Sequence, residues 1–198
     1  MKVFFTGNSP YARRARLAAR ASGLKIEEVD VAPLVRPDQP LLQKGPGGKV
    51  PGLETDSGVY LCETLVITNY INQKSGGALL PGDAAAQESV LALESVASLL
   101  LDSLFGRSHE KRREEGDPSP AFIAKEAGRA GRCYDALNGM LAGQKPALNV
   151  GTIAAVTALG YADWRMAEDN WRGGRDGLAA WFDAMHTLPA VAETKPVF

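Results

Sequence analysis

The pattern of apolar and polar positions changes character near residue 76. Before it, short apolar stretches alternate with helix-like segments; beyond it, nearly every segment carries apolar residues at helical spacing. Val3 to Thr6 reads as a strand and Pro10 to Ser22 as a helix, which Gly23 closes as a C-terminal glycine should. Lys25 to Val29 resumes as strand. A helix between two strands is a β-α-β unit, whose crossover length favours a parallel pair. The stretch 33–48 holds Pro33, Pro37, Pro40 and Pro46 with Gly45, Gly47 and Gly48. It predicts a loop with one short helix near Gln39 to Lys44, placed to border a binding site. Val50 to Glu54 and Val59 to Cys62 flank the turn Asp56-Ser57-Gly58 as a hairpin, and Thr64 to Gln73 follows as a helix.

Gly76-Gly77 and Pro81-Gly82-Asp83 then read as a linker. The expected organisation is an α/β domain over 1–76, a linker over 77–86 and an all-helical domain over 87–198. In the latter, Gln87 to about Glu115 is one long amphipathic helix carrying Leu93, Leu100 and Leu104. Ser119 to Leu141, Asn149 to Ala167 and Gly177 to Thr187 make three more, the last stopped by Leu188-Pro189. The sum is an α/β domain followed by a helical bundle.

Composition narrows the function classes more than it names one. The chain has 198 residues, 45% of them hydrophobic, and a net charge of −1. That balance supports neither a nucleic-acid surface nor a polybasic membrane patch. The apolar run at Val3 to Phe5 is too short for a signal peptide, and no run of about 18 uninterrupted apolar residues predicts a membrane span. The cytoplasm is the expected address. Cys62 and Cys133 lie far apart with no His or Cys at metal-ligand spacing, so neither a disulfide scaffold nor a metal site is expected.

Four motifs in this order resemble the glutathione transferase family, and the bacterial serine-type branch of it most. They are Asn8-Ser9-Pro10-Tyr11 with Arg13 and Arg16, Gly48-Lys49-Val50-Pro51-Gly52-Leu53, Glu63-Thr64, and Leu159-Gly160-Tyr161-Ala162-Asp163-Trp164-Arg165. The resemblance spans the whole chain. It implies a thioredoxin-like glutathione-binding domain followed by an all-helical domain, glutathione as co-substrate, a small apolar electrophile as acceptor, and a homodimer. The implied activity is that of a glutathione transferase. Isomerisation, dehalogenation and peroxide reduction are related outcomes, and a non-catalytic glutathione-binding or interaction module is the alternative. A thiol-disulfide oxidoreductase would need a cysteine where Ser9 stands.

Each motif also has a physical reading. Ser9 precedes Pro10, which suits the first helical position because its missing N–H would be unsatisfied there. Ser9 is therefore a good helix N-cap, and the family context adds the role of holding the sulfur of glutathione as a thiolate. Lowering a thiol pKa of about 8.5 by about two units takes about 2.7 kcal/mol. A helix N-terminus supplies about 0.3–1, up to about 2, and a hydrogen bond to a charged group about 1.5–3 kcal/mol. Together they suffice. Asn8 and Tyr11 are alternative donors.

Val50-Pro51 matches the family's cis proline, whose preceding backbone pairs with the cysteinyl unit; an edge-strand proline is the plainer reading. Lys49 is then expected to meet the glycine carboxylate. Thr64 at a helix start and Glu63 beside it suit the two ends of the γ-glutamyl group, with simple capping as the alternative. Position alone suggests Phe105, Arg107 and His109, with Asn8 and Tyr11, for the electrophile pocket. Arg13, Arg16 and Arg20 at helical spacing read as a solvated face. Cys62 reads as a buried strand residue, Asp163 and Arg165 as an internal polar network, and His109 and His186 as surface or packing residues rather than ligands. Asn149 reads as an N-cap to which Thr152 returns only a weak reciprocal bond.

Overall fold

The computed structural model describes residues 1–31, 40–113 and 118–196. Strand β1 (Lys2–Phe5) leads into α1 (Pro10–Ala21) and returns as β2 (Glu27–Asp30), parallel to β1. After α2 (Pro40–Lys44) come β3 (Gly52–Glu54) and β4 (Tyr60–Leu61), an antiparallel hairpin. β3 also runs antiparallel to β1, so the mixed sheet has the order β2-β1-β3-β4. Gly58 takes φ 82° in the hairpin turn, where a side chain would be strained. Helix α3 (Thr64–Lys74) closes this part, with Ile67 and Ile71 buried beside Val3, Leu17 and Leu53.

The helical part follows as α4 (Ala84–Glu110), α5 (Pro120–Leu141), α6 (Val150–Arg165), α7 (Asp176–Met185) and α8 (Pro189–Glu193). A single 3₁₀ turn, Ala167–Asp169, follows α6. Helix α4 starts at Ala84 rather than Gln87 because Asp83 caps it, its Oδ1 accepting the Ala86 N–H at 2.8 Å. Helix α6 is the hub of the core: it packs on α4 and on α1, and almost its whole length is buried. Its first turn approaches α4 so closely that a Cβ on Gly151 would lie 2.6 Å from the Val90 carbonyl oxygen. Asn149 and Thr152 exchange hydrogen bonds at 2.9 and 3.0 Å, so the reciprocal cap forms, and the Thr152 hydroxyl also donates to the Ala147 carbonyl at 2.7 Å. The segment between α3 and α4 is tied to both parts: the Leu79 N–H donates to Asn72, and its carbonyl accepts from Val150.

Several expectations change. Of the α1 arginines expected on a solvated face only Arg20 is exposed: Arg13 is 3% and Arg16 9% exposed, and Arg14 beside them is 3% exposed. Helices α6 and α8 and strand β2 cover them, and Arg14 pairs with Glu94 while Arg16 and Arg20 share Glu28. Charged periodicity cannot distinguish an outer helix from one sandwiched between a sheet and a bundle. The apolar stretch in α4 does reach the length and composition of a membrane span, because scattered polar residues hid it as a run; only 33% of it is buried in the chain. The short α8 and the 3₁₀ turn have no long apolar repeat to announce them. Of the anticipated elements, Gln39 in the second helix and the end of the α4 segment at Glu115 lie outside the described residues, as do Pro33 and Pro37.

Candidate functional site

A cleft of about 1200 Å³ lies where the α/β part meets α4 and α6. Its first wall is made by the loop and helix start after β1, the glycine-rich segment before β3, and the end of β4. At the helix start, the Ser9 backbone is extended and its Oγ accepts the Ala12 N–H at 3.2 Å. That bond uses a lone pair, so the hydroxyl proton is left to donate to whatever occupies the cleft. Behind it are the N–H groups of the first turn of α1 and the positive end of its dipole. Asn8 is exposed, and its Oδ1 accepts from the Thr6 hydroxyl at 3.0 Å.

The Tyr11 hydroxyl donates to Asp102 Oδ1 at 2.6 Å. Its pKa lies above the ordinary phenol value, first because the group is buried and then because of that bond. The proton that Tyr11 could have offered a thiolate is thus held by a carboxylate from α4.

Lys49, Val50 and Pro51 line the same wall, and the Val50–Pro51 peptide is cis. Tyr60 sits over this loop, and glycines make the room: a Cβ on Gly52 would lie 1.8 Å from its hydroxyl and one on Gly45 2.6 Å from its ring. Burial, then the proximity of Cys62 and Glu54, pushes the Tyr60 hydroxyl up to about 12. Cys62 is half-buried just beyond β4 and lines the cleft, rather than being buried within a strand.

At the junction of β4 and α3, Glu63 adopts φ 66° and ψ 126°. A non-glycine residue at positive φ costs on the order of 1–3 kcal/mol, and such strain clusters at ligand-binding positions. Glu63 makes no capping bond, so capping does not account for it. Its side chain is exposed at the cleft, and Thr64, buried at the first position of α3, lines the cleft beside it.

The second wall is aromatic and basic. Asp102, Phe105, His109 and Arg112 follow one stripe of α4 and the turn after it, at three-to-four spacing. Tyr161, Trp164 and Arg165 form the matching stripe of α6. Phe105 meets Tyr11 edge-on at 5.1 Å and carries the His109 ring at 4.0 Å. The Arg165 guanidinium stacks on Trp164 at 3.4 Å.

The structure therefore brings Asn8, Ser9, Tyr11, Lys49, Val50, Pro51, Glu63, Thr64, Phe105 and His109 to one cleft. Arg107 does not join them. Two residues past Phe105 it points to the opposite side of α4, where it is 3% exposed and binds Asp169 through both terminal nitrogens at 2.7 Å. Asp169 also accepts from Tyr134, so the pair is a buried strut of the bundle. Asp163 accepts from Trp171 at 2.6 Å and Arg172 at 3.0 Å, as a polar network should, but Arg165 belongs to the cleft. His186 contacts the Phe182 carbonyl and ring, as a packing residue. On the second wall, Asp102, Arg112, Tyr161, Trp164 and Arg165 are cleft residues that sequence reasoning missed, as it missed Tyr60 and Cys62 on the first. The stripe through Phe105 and His109, extended by three residues either way, would have found Asp102 and Arg112. No group of His, Cys, Asp and Glu among the described residues could hold a metal ion.

Residues 4–79 match the family described as glutathione S-transferase, N-terminal domain. A glutathione S-transferase from Methylobacillus flagellatus KT, crystallised with glutathione bound, superimposes with a TM-score of 0.91, covering 99% of each chain at 28% identity. A glutathione transferase family member from Pseudomonas fluorescens Pf-5, also with bound glutathione, gives 0.85, covering 100% of this chain and 99% of that one at 26% identity. An uncharacterised glutathione transferase-like protein of Escherichia coli K12, YibF, is 26% identical over 99% of this chain and 98% of its own. Residues 4–79 thus carry a glutathione S-transferase N-terminal domain, and likeness to glutathione transferases runs over the whole length of the chain.

Proposed function

We propose that the protein is a serine-type glutathione transferase that ionises bound glutathione and directs its sulfur at a small electrophile held by α4 and α6. Lys49 meets the glycine carboxylate, the backbone of Val50 pairs with the cysteinyl unit, and Glu63 and Thr64 hold the γ-glutamyl ammonium and carboxylate. Ser9 donates its hydroxyl proton to the thiolate. The observation that carries this reading is the hydroxyl geometry at the start of α1: Ser9 accepts from Ala12 and keeps its proton for the cleft, whereas Tyr11 has given its own to Asp102. Holding the thiol about two units below its free value takes about 2.7 kcal/mol, within reach of one charged hydrogen bond plus a helix terminus. Positioning two reactants and activating one is the rest of the catalysis. Ultraviolet titration of the bound thiolate tests it: wild-type protein should show the lowered value and Ser9→Ala a higher one. A shift that survives Ser9→Ala and disappears in Asn8→Ala would move the role to Asn8. Cys62 and Cys133 are both free thiols, which fits the reducing cytoplasm where glutathione itself stays a thiol.

We infer also that two copies associate. Leu65 and Val66 of α3 and Leu91 and Leu99 of α4 are each about half exposed (46–53%). Glu88 and Asp102 are exposed on the same long helix, which suits an interface between proteins better than lipid. Sedimentation should give a dimer for the wild type and a monomer for Leu99→Asp; a wild-type monomer at micromolar concentration overturns it.

A further inference from the structure

The second wall of the cleft carries charge that an apolar acceptor would leave unanswered. Several other arginines are matched to carboxylates: Arg107 to Asp169, Arg172 to Asp163 and Asp183, and Arg175 to Asp135 in the bundle, and Arg14 of α1 to Glu94. Arg112 and Arg165 are different. Among the described residues, Arg112 has only a bond from its Nε to the Ser108 carbonyl, and Arg165 lies flat on Trp164 with its Nε buried and unbonded. Among the described residues, the one carboxylate on that wall, Asp102, already accepts a hydrogen bond from Tyr11. A guanidinium fixed in plane on an indole keeps its edge donors free and preorganised, which is how arginine recognises a carboxylate.

We propose that the electrophile accepted by this protein is a small aromatic or unsaturated carboxylate, its flat body against Phe105 and Tyr161 and its anionic group met by Arg165 and Arg112. This rests on the transferase reading above and replaces the expectation of a purely apolar acceptor. The aromatic faces supply affinity for the body. Because Arg112 is exposed while Arg165 is half-buried, the first acts mainly as a salt-sensitive attraction and the second as the fixed contact.

The test uses the full-length protein with glutathione and two acceptors sharing one body, 4-chloro-3-nitrobenzoate and its methyl ester. In each, the C–S bond forms and the C–Cl bond breaks, chloride leaves with the electron pair, and the thiol proton passes to solvent. Each kcat/KM is divided by the acceptor's uncatalysed rate with glutathione, which removes the difference in intrinsic reactivity. The wild type should prefer the acid by about tenfold, a difference of about 1.4 kcal/mol. Arg165→Gln should lower the acid's value more than the ester's and bring the ratio toward one. Arg112→Gln, in an exposed turn, should reduce it severalfold and make it less sensitive to salt. A general loss of packing would lower acid and ester together and leave the ratio in place. A wild-type ratio near or below one, or a ratio that neither substitution moves, overturns the proposal while leaving glutathione conjugation intact. Failure to conjugate either acceptor while glutathione binds with a lowered thiol pKa also overturns it. Failure to bind glutathione overturns the transferase reading and this one together.

Discussion

The two walls of the cleft are built by different means. The first is made where strands turn into helices or loops, from backbone groups, short hydroxyls and glycines, and its shape follows from backbone conformation: the extended Ser9, the cis Val50–Pro51 peptide, and Glu63 at φ 66°. The second is made of side chains standing on two helix stripes, and its shape follows from how α4 and α6 pack. A backbone site is difficult to alter without altering the fold, whereas a stripe of side chains can be exchanged on an unchanged helix. The difference suits a wall that meets a constant tripeptide and one that meets a variable acceptor. It also assigns failures, since damage behind the second wall should cost stability and damage to the first should cost chemistry.

The largest expected effect is behind the second wall. Asp169→Ala strands the buried Arg107 guanidinium and also frees the Tyr134 hydroxyl. It should lower unfolding free energy in urea by about 3–5 kcal/mol. A loss below about 1 kcal/mol, with altered acceptor kinetics instead, would return Arg107 to the cleft.

On the first wall, Ser9→Ala should raise the bound thiol pKa by about one to two units, the equivalent of one charged hydrogen bond of about 1.5–3 kcal/mol. Glutathione affinity, measured by calorimetry near the free thiol's neutral form, should change far less. Losing the cap should also cost about 0.5–2 kcal/mol of stability. Equal losses in affinity and in thiolate formation would make Ser9 a structural residue only.

Comparable in size to that cap is Gly151→Ala, which drives a methyl group against the Val90 carbonyl and Leu93 at the closest approach of α4 and α6. It should cost about 1–3 kcal/mol, and because it shifts one helix stripe against the other it should change acceptor KM while leaving the thiol pKa in place. A shifted thiol pKa would show that the two walls are not separable.

The smallest effect is a pH dependence on the far side of α1. Glu28 is held below its ordinary pKa: burial raises it, but the bonds from Arg20 and Arg16 outweigh that and lower it. A folded value below the unfolded one adds stability that is complete above the ordinary carboxylate value of about 4.3 and is lost as pH falls through the lower folded value. Glu28→Gln should therefore flatten the acid limb of the stability curve and leave the neutral region's pH slope unchanged. An unaltered acid limb would mean that other carboxylates set it.

How much of this could be read from the sequence depended on distance along the chain. Ser9-Pro10, Gly23 and the Asp56-Ser57-Gly58 turn are local signals, and each stands where expected because capping and turn geometry involve only a few neighbouring residues. The parallel β1–β2 pair follows from the crossover helix for a similar reason. On the first wall, Ser9, Lys49, Val50, Pro51, Glu63 and Thr64, which the family resemblance singled out, do line the cleft, whereas Tyr60 and Cys62 beside them were not anticipated there. Much of the second wall was not anticipated either: Phe105 and His109 were named, but so was Arg107, which the helix turns away from the cleft.

The sequence by itself determined the order of elements, the α/β-then-helical layout and the hydroxyl at the start of α1, since these depend on backbone preferences and short-range contacts. Tertiary structure alone decided that Arg13, Arg14 and Arg16 are enclosed, that the Tyr11 hydroxyl donates to a carboxylate 91 residues away, and that Arg112 and Arg165 share one wall. Those outcomes depend on which helix faces meet. Many side-chain patterns present an equally amphipathic face, and only the packing of α6 against α1 and α4 selects the partner that each charged group finds.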